Sequence, residues 1–168
     1  MKPKITAFSK GISLFITGFL TLLILFQATV RLMGLTPYAV LSGSMEPTFP
    51  VGSLIYVKDT DPNTLLPGDP ITFSLSPTTV ATHRIVSIEE EDGLRYFRTR
   101  GDANPAPDGS PVDSRNVLGT PLFCVPILGY VSVFLRSLPG MLLLGLLALS
   151  LLAAAILPAI RLRADPAP

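Results

Sequence analysis

Two uncharged apolar runs lie near the ends of this chain, and they restrict its folding more than any other feature. The first extends from Gly11 to Val30 between Lys10 and Arg31, and the second from Met141 to Ile160 between Arg136 and Arg161. A helix of about twenty apolar residues rises about 30 Å, the hydrocarbon thickness of a bilayer. Both runs therefore read as transmembrane helices. A cleaved signal peptide is the competing reading of the first run, but its apolar core is longer than such segments carry and no small-x-small site follows it. Lys2, Lys4 and Lys10 precede the first run and Arg161 and Arg163 follow the second, with only Arg31 and Arg136 on the opposite flanks. The positive-inside rule then sets both termini in the cytoplasm. The expected organisation is a cytoplasmic segment 1–10, a transmembrane helix 11–30, an extracytoplasmic domain 31–138, a second transmembrane helix 139–160 and a cytoplasmic tail 161–168.

Between the runs, proline and glycine punctuate short β-favouring stretches. These are Ser53 to Lys58, Ile71 to Leu75, Val80 to Ile88 and Leu94 to Thr99. Glu91-Asp92-Gly93 supplies the turn of a hairpin between the last two. Pro67-Gly68-Asp69 marks another turn, after which Pro70 can only open a strand or sit at its edge. The stretch Val117 to Leu135 is broken by Pro121, Pro126 and Gly129 and reads as strands returning towards the membrane. The expected fold class is mainly β: a small, antiparallel, β-rich extracytoplasmic domain between two transmembrane α-helices, with few or no helices of its own. A formal net charge of +1 gives no sign of nucleic-acid binding.

The chemistry-bearing residues are few. His83 is the single histidine and Cys124 the single cysteine, which excludes histidine-rich and thiolate zinc sites and any internal disulfide. Cys124 reads as a small apolar residue of the core. His83 suits a general base, since the imidazole titrates near neutral pH. Ser44 lies in the small-residue segment Ser42-Gly43-Ser44-Met45-Glu46-Pro47-Thr48, a little over ten residues beyond the first apolar run, and needs such a base to become a nucleophile. Gly43 permits close backbone approach, and the flanking amides suit an oxyanion. Met45 and Phe49 are candidates for contact with the membrane interface, a core role being an equal reading for Phe49. An acid in the loop Gly101 to Asp108 can orient the histidine, and spacing does not choose between Asp102 and Asp108.

Taken jointly and in this order, these segments resemble signal peptidase I, in the branch found in archaea, the endoplasmic reticulum and some Gram-positive bacteria. The matching boxes are Leu41 to Thr48, Pro67-Gly68-Asp69, Thr82-His83-Arg84-Ile85, Gly101-Asp102-Ala103-Asn104 with Asp108 beyond, and Val125 to Val131; Pro70, Ala103 and Pro105 depart from the usual pattern. The resemblance implies a membrane-bound serine endopeptidase that needs no cofactor. Ser44 is its nucleophile and His83 its base. The Ser44 amide and the Ser42 hydroxyl form the oxyanion hole, and Asp108 orients His83, with Asp102 as a supporting or alternative partner. The implied substrates are signal peptides of exported preproteins, with small residues at the first and third positions before the cut. The lipid bilayer and the export machinery are the implied associates. The family's other branch uses lysine. Here the only lysine outside the N-terminal segment is Lys58, and His83 stands where that branch carries its lysine. Two alternatives share the pattern: a peptidase dedicated to a few matrix or pilus-like precursors, and a catalytically silent membrane-anchored binding or assembly module.

Overall fold

The computed structural model describes residues 2 to 164. They form two compact units, one of Val30–Val133 and one of the described residues before and after it. Residues 1 and 165–168 of the expected cytoplasmic ends lie outside the described residues, as do the side chains of Lys2, Lys4, Lys10, Arg161 and Arg163.

The helical unit holds most of α1 (Lys2–Leu32) and α3 (Leu138–Ala164). Within α1, Gly11–Leu32 is long and apolar enough to cross a bilayer, its 22 residues rising about 33 Å. α3 begins one residue before the expected 139. Its stretch Leu138–Ala153 passes as a span only together with α2 (Leu128–Arg136), across a break at Ser137. Among the described residues, one helix by itself is thus long and apolar enough to cross a membrane.

In the other unit the described residues build a seven-stranded antiparallel sheet: β1 (Leu35–Ala39), β2 (Leu54–Lys58), β3 (Pro70–Ser76), β4 (Thr79–Glu91), β5 (Leu94–Arg100), β6 (Val112–Asp113) and β7 (Val117–Val125). Their spatial order is β1-β2-β7-β3-β4-β5-β6. The expected hairpin is β4–β5. Glu91 pairs with Leu94, so Asp92 and Gly93 alone make the turn, with φ of 49° and 75°. Positive φ at both positions is the geometry that matches strand twist, and aspartate and glycine tolerate it best. Pro70 opens β3, where its missing N–H breaks no ladder bond. β1 carries Pro37 at its centre, which hides it from sequence reading; it survives because β1 is an edge strand paired only with β2.

The stretch from Val117 to Leu135 corrects the expectation of strands throughout. Its first half is β7, but Leu128–Arg136 is helix α2. Gly129, which reads as a breaker, is there for space: a Cβ on it would meet the Ser53 carbonyl oxygen at 2.2 Å. The domain therefore owns the start of one α-helix as well as three single-turn 3₁₀ segments.

Three apolar clusters hold the sheet. Leu65, Ile71, Phe73, Ile85, Phe97 and Val112 form one. Val30, Leu35, Leu54 and Tyr56 form the second, with Val125 and Leu128 packed on it. Met45, Phe49, Ile55 and Val57 form the third, which Cys124 and Val40 flank. Met45 and Phe49 are thus core residues, 2% and 7% exposed, and not membrane contacts. Each such buried side chain contributes about 1.5–3 kcal/mol. Cys124 is half-buried, as a small apolar residue would be.

Gly119 tests the β2–β7 crossing. Its φ is +136°, and a Cβ there would lie 2.0 Å from the Lys58 carbonyl oxygen, a backbone atom that cannot swing away. Gly119→Ala is expected to lower unfolding stability by about 2 kcal/mol or more, read by denaturant unfolding of the detergent-solubilised protein.

Candidate active site

The chain leaving β1 is pinned first. Val40 donates its amide to the Ser53 carbonyl at 2.9 Å, and Gly52 returns one to Val40 at 2.9 Å. Ser42 is extended, at φ −129° and ψ 156°, and its hydroxyl caps nothing. A single 3₁₀ turn, Gly43–Met45, follows, closed by the Glu46 amide on the Gly43 carbonyl. Because Met45 is driven into the core, its neighbour Ser44 is held at the rim of the domain, half-buried. The Ser42 and Ser44 hydroxyl oxygens lie 3.4 Å apart.

His83 comes from β4, opposite Ile71 on β3, with its ring edge-on to Phe73 at a centroid distance of 6.2 Å. Its Nε2 is 3.1 Å from Ser44 Oγ and its Nδ1 2.6 Å from Asp108 Oδ2. A carboxylate only accepts, so Nδ1 carries the proton and the Nε2 lone pair faces the serine hydroxyl. Asp108 is held in turn. Its Oδ2 accepts from Thr99 Oγ1 at 2.6 Å, and its amide donates to the Thr99 carbonyl at 2.8 Å. The His83 and Asp108 side chains are 15% and 25% exposed, dry enough to strengthen these bonds yet open to a ligand. The arrangement sets a serine hydroxyl, an imidazole and a carboxylate in hydrogen-bonded sequence, a geometry suited to acyl transfer.

Asp102 has other partners. Its two carboxylate oxygens accept from Arg84 Nε at 2.8 Å and Nη2 at 2.7 Å, and Oδ2 also accepts from Thr48 Oγ1 at 2.5 Å. Arg84 reaches on to the Gly68 carbonyl through Nη1. The Arg84 hydrogen bonds hold the Asp102 carboxyl below its usual range, partial burial opposing and Thr48 assisting; Arg84 is pushed up by the same pair. Asp102 thus joins three segments: the nucleophile turn through Thr48, the base strand through Arg84, and its own loop. That loop also bonds directly to the nucleophile turn, the Ala103 amide donating to the Ser44 carbonyl at 2.9 Å. Gly101 permits this approach, since a Cβ there would be 2.5 Å from Ser44 O and 3.0 Å from Ser44 Cβ.

The structure brings Ser42, Ser44, His83 and Asp108 together and ties Asp102 in through Arg84. Sequence reasoning missed the contributions of Thr99, Arg84, Thr48 and Gly101. Arg84 stands beside the histidine and is the one whose charge gave a signal; the other three bear nothing that distinguishes them from strand or turn residues. Lys58 is exposed at the end of β2, outside the residues that line the site. Among the described residues no three His, Cys, Asp or Glu side chains converge on a metal position.

Two clefts meet at His83. One, of about 300 Å³, runs past Ser42 and Ser44 between Tyr38–Leu41 and Val80–Thr82, floored by Met45, Phe49 and Ile55. The other, of about 440 Å³, lies against Asp108, Phe73 and Val112. Beside the first, β1 has an unpaired edge, and β4 is paired with β5 only from Arg84 onward.

Gly101→Ala is expected to lower kcat by about 100-fold by displacing Ser44, since a misplacement near 1 Å costs that much. The native fold should persist in circular dichroism. Asp102→Asn probes the clamp by pH. A carboxyl whose folded value lies below its unfolded one stabilises the fold above the unfolded value, and that contribution fades as pH falls through the folded one. The wild type should therefore lose stability progressively from about pH 5 downward, and the variant, less stable at neutral pH, should show a flatter acid limb in thermal melts.

No family model matches the chain. It is 51% identical over 85 residues to "Signal peptidase I W" of Bacillus subtilis (strain 168), which is 50% of this chain and 45% of that protein. It is 34% identical over 109 residues to "Signal peptidase complex catalytic subunit sec11" of Dictyostelium discoideum, 60% of each. With "Signal peptidase complex catalytic subunit SEC11C" of Homo sapiens it shares 28% identity over 109 residues, 60% of this chain and 57% of that one. The chain spans about half the length of the curated relatives it matches. These similarities bear out the resemblance to signal peptidase I, in the branch of signal peptidase I W and the SEC11-type subunits.

Proposed function

We propose that this chain, a relative of the signal peptidase I family, is a membrane-bound serine endopeptidase that removes signal peptides from exported preproteins at the extracytoplasmic membrane surface. The observation that carries the reading is the continuous hydrogen-bond run from Ser44 Oγ through His83 to Asp108. Ser44 attacks the scissile carbonyl as His83 Nε2 takes its proton, and Asp108 stabilises the imidazolium so formed. The Ser44 amide and the Ser42 hydroxyl receive the oxyanion, which supplies the electrostatic part of catalysis. His83 then returns the proton to the leaving amine, and water repeats the sequence on the acyl-enzyme.

The first cleft supports the substrate class. An extended peptide fits between the unpaired edges of β1 and β4, where main-chain bonds give affinity and alternate side chains fall into pockets. Residues one and three before the cut share one face of such a strand and meet the same shallow apolar wall, which favours small side chains at both. A catalytically silent module has no need of a base already 3.1 Å from a serine and fixed in one tautomer.

The topology belongs to the same proposal: residues 11–30 and 139–160 as two spans, both termini cytoplasmic, and the β domain outside. Anchoring confines enzyme and membrane-inserted substrate to one surface and raises their effective concentration.

Ser44→Ala and His83→Ala are each expected to abolish preprotein processing in membranes, by at least about 10⁴-fold, with protein levels unchanged. Asp108→Asn should lower kcat by about 10²–10⁴-fold, and Lys58→Ala should leave the rate unaltered. Processing at the normal rate by either of the first two variants would overturn the reading.

A further inference from the structure

Of the two clefts that meet at His83, the one past Ser42 and Ser44 takes the chain before the cut, and the other has no part in that chemistry. The second is the larger, about 440 Å³ against about 300 Å³, and neither serine lines it. The two share a wall of Leu75, Ala81 and His83. Ala81 and His83 lie two residues apart on β4, opposite Phe73 and Ile71 on β3, so their side chains stand on one face of the sheet.

The opposite wall of the second cleft is preformed. The Asp108 amide donates to the Thr99 carbonyl at 2.8 Å, and Val112 pairs with Phe97 on β5. The segment between them, with Ser110 and Pro111, is thus held at both ends. Phe73 and Val112 are buried beneath the cleft and Pro111 borders it, which makes its lining largely apolar. His83 and Asp108 are its only ionisable groups among the described residues, and they are bonded to each other. Both side-chain bonds to the Asp108 carboxylate fall on Oδ2, and among the described residues none falls on Oδ1.

The order of events in acyl transfer identifies the occupant. The carbonyl half of the broken bond stays on Ser44, beside the Ser42 hydroxyl, and so on the side of the first cleft. The amine half takes its proton from His83 Nε2 and has to come within about 3 Å of that atom. Chain that precedes the cut therefore lies with the serines, and chain that follows it departs across the imidazole. The cavity on that side of the imidazole is the second cleft.

We propose that the second cleft seats the first two residues after the cut and selects neutral, apolar side chains there. Two residues of extended chain reach about 7 Å, enough to pass from the imidazole into the cleft. An apolar side chain gains by burial against Phe73 and Val112. A carboxylate there sheds water against the same surface and stands near the like charge of Asp108, and both effects oppose binding. Asp108 Oδ1 is suited to accept a main-chain N–H of this segment, whatever its side chains. The subsite rests on the reading of this chain as a peptidase that attacks through Ser44.

The test uses the full chain in detergent and peptides with alanine at the first and third positions before the cut. They differ only after it. Leu-Leu at the first two positions after the cut should be cleaved with a kcat/KM about tenfold above Glu-Glu, the difference lying in KM because it arises on binding. The same exchange at the fifth and sixth positions should change the rate less than twofold. Ser110 and Asn116 are exposed on separate segments of the cleft wall, so a lysine at either supplies a cation without disturbing the core. Ser110→Lys and, independently, Asn116→Lys should each cut the preference for Leu-Leu to about threefold or less. Two variants on different segments guard against one that fails to fold, and the comparison of peptides on the wild type needs neither. Equal dependence on both pairs of positions, no dependence on either, or a preference that neither lysine alters would overturn the subsite while leaving the peptidase intact. No cleavage of any of these peptides by the wild type would overturn the peptidase reading and the subsite with it.

Discussion

The Ser44 carbonyl accepts the Ala103 amide at 2.9 Å, with Gly101 against the serine backbone, and the rest of the site is arranged around that contact. It joins a turn near the start of the sheet to a loop that follows β5, segments that share no strand pairing. The Arg84–Asp102–Thr48 clamp secures the same junction through side chains. With the acid loop fixed to the nucleophile turn, Asp108 has one place to be, and Thr99 completes its alignment on His83. A bidentate arginine–carboxylate pair is suited to this role because its two parallel bonds fix direction as well as distance.

The two acids thus divide the work. Asp108 faces the imidazole, whereas Asp102 carries the load between loops, and the difference lies in their partners. Asp102 is matched by a guanidinium that keeps it ionised and fully occupied. Asp108 has only neutral donors, a histidine N–H and a threonine hydroxyl, so its charge remains available to an imidazolium. Met45 serves the same end from below: buried in one cluster with Phe49 and Ile55, it anchors the turn to the core.

Much of the sheet was legible because its cues are local. The β4–β5 hairpin follows from Asp92-Gly93 between β-branched and aromatic runs, and the start of β3 from Pro70 after a glycine turn. β1 and α2 were not legible, for a shared reason: each contains a residue whose local preference opposes the element. Pro37 is admitted because β1 is an edge, and Gly129 because Ser53 leaves no room for a side chain. Neither condition exists until the sheet is assembled.

Composition and patterning alone set the chemistry available: one histidine, one candidate serine in a small-residue turn, too few histidines and cysteines for a zinc site built on either, and an apolar run before a β-rich domain. These follow from composition and periodicity, which need no partner elsewhere in the chain. Which acid meets His83, the inward turn of Met45 and Phe49, and the place of Gly101 and Thr99 in the site emerge with the assembled fold. Those are contacts between segments far apart in sequence, and their geometry is set by strand register and close packing, neither of which any local stretch encodes.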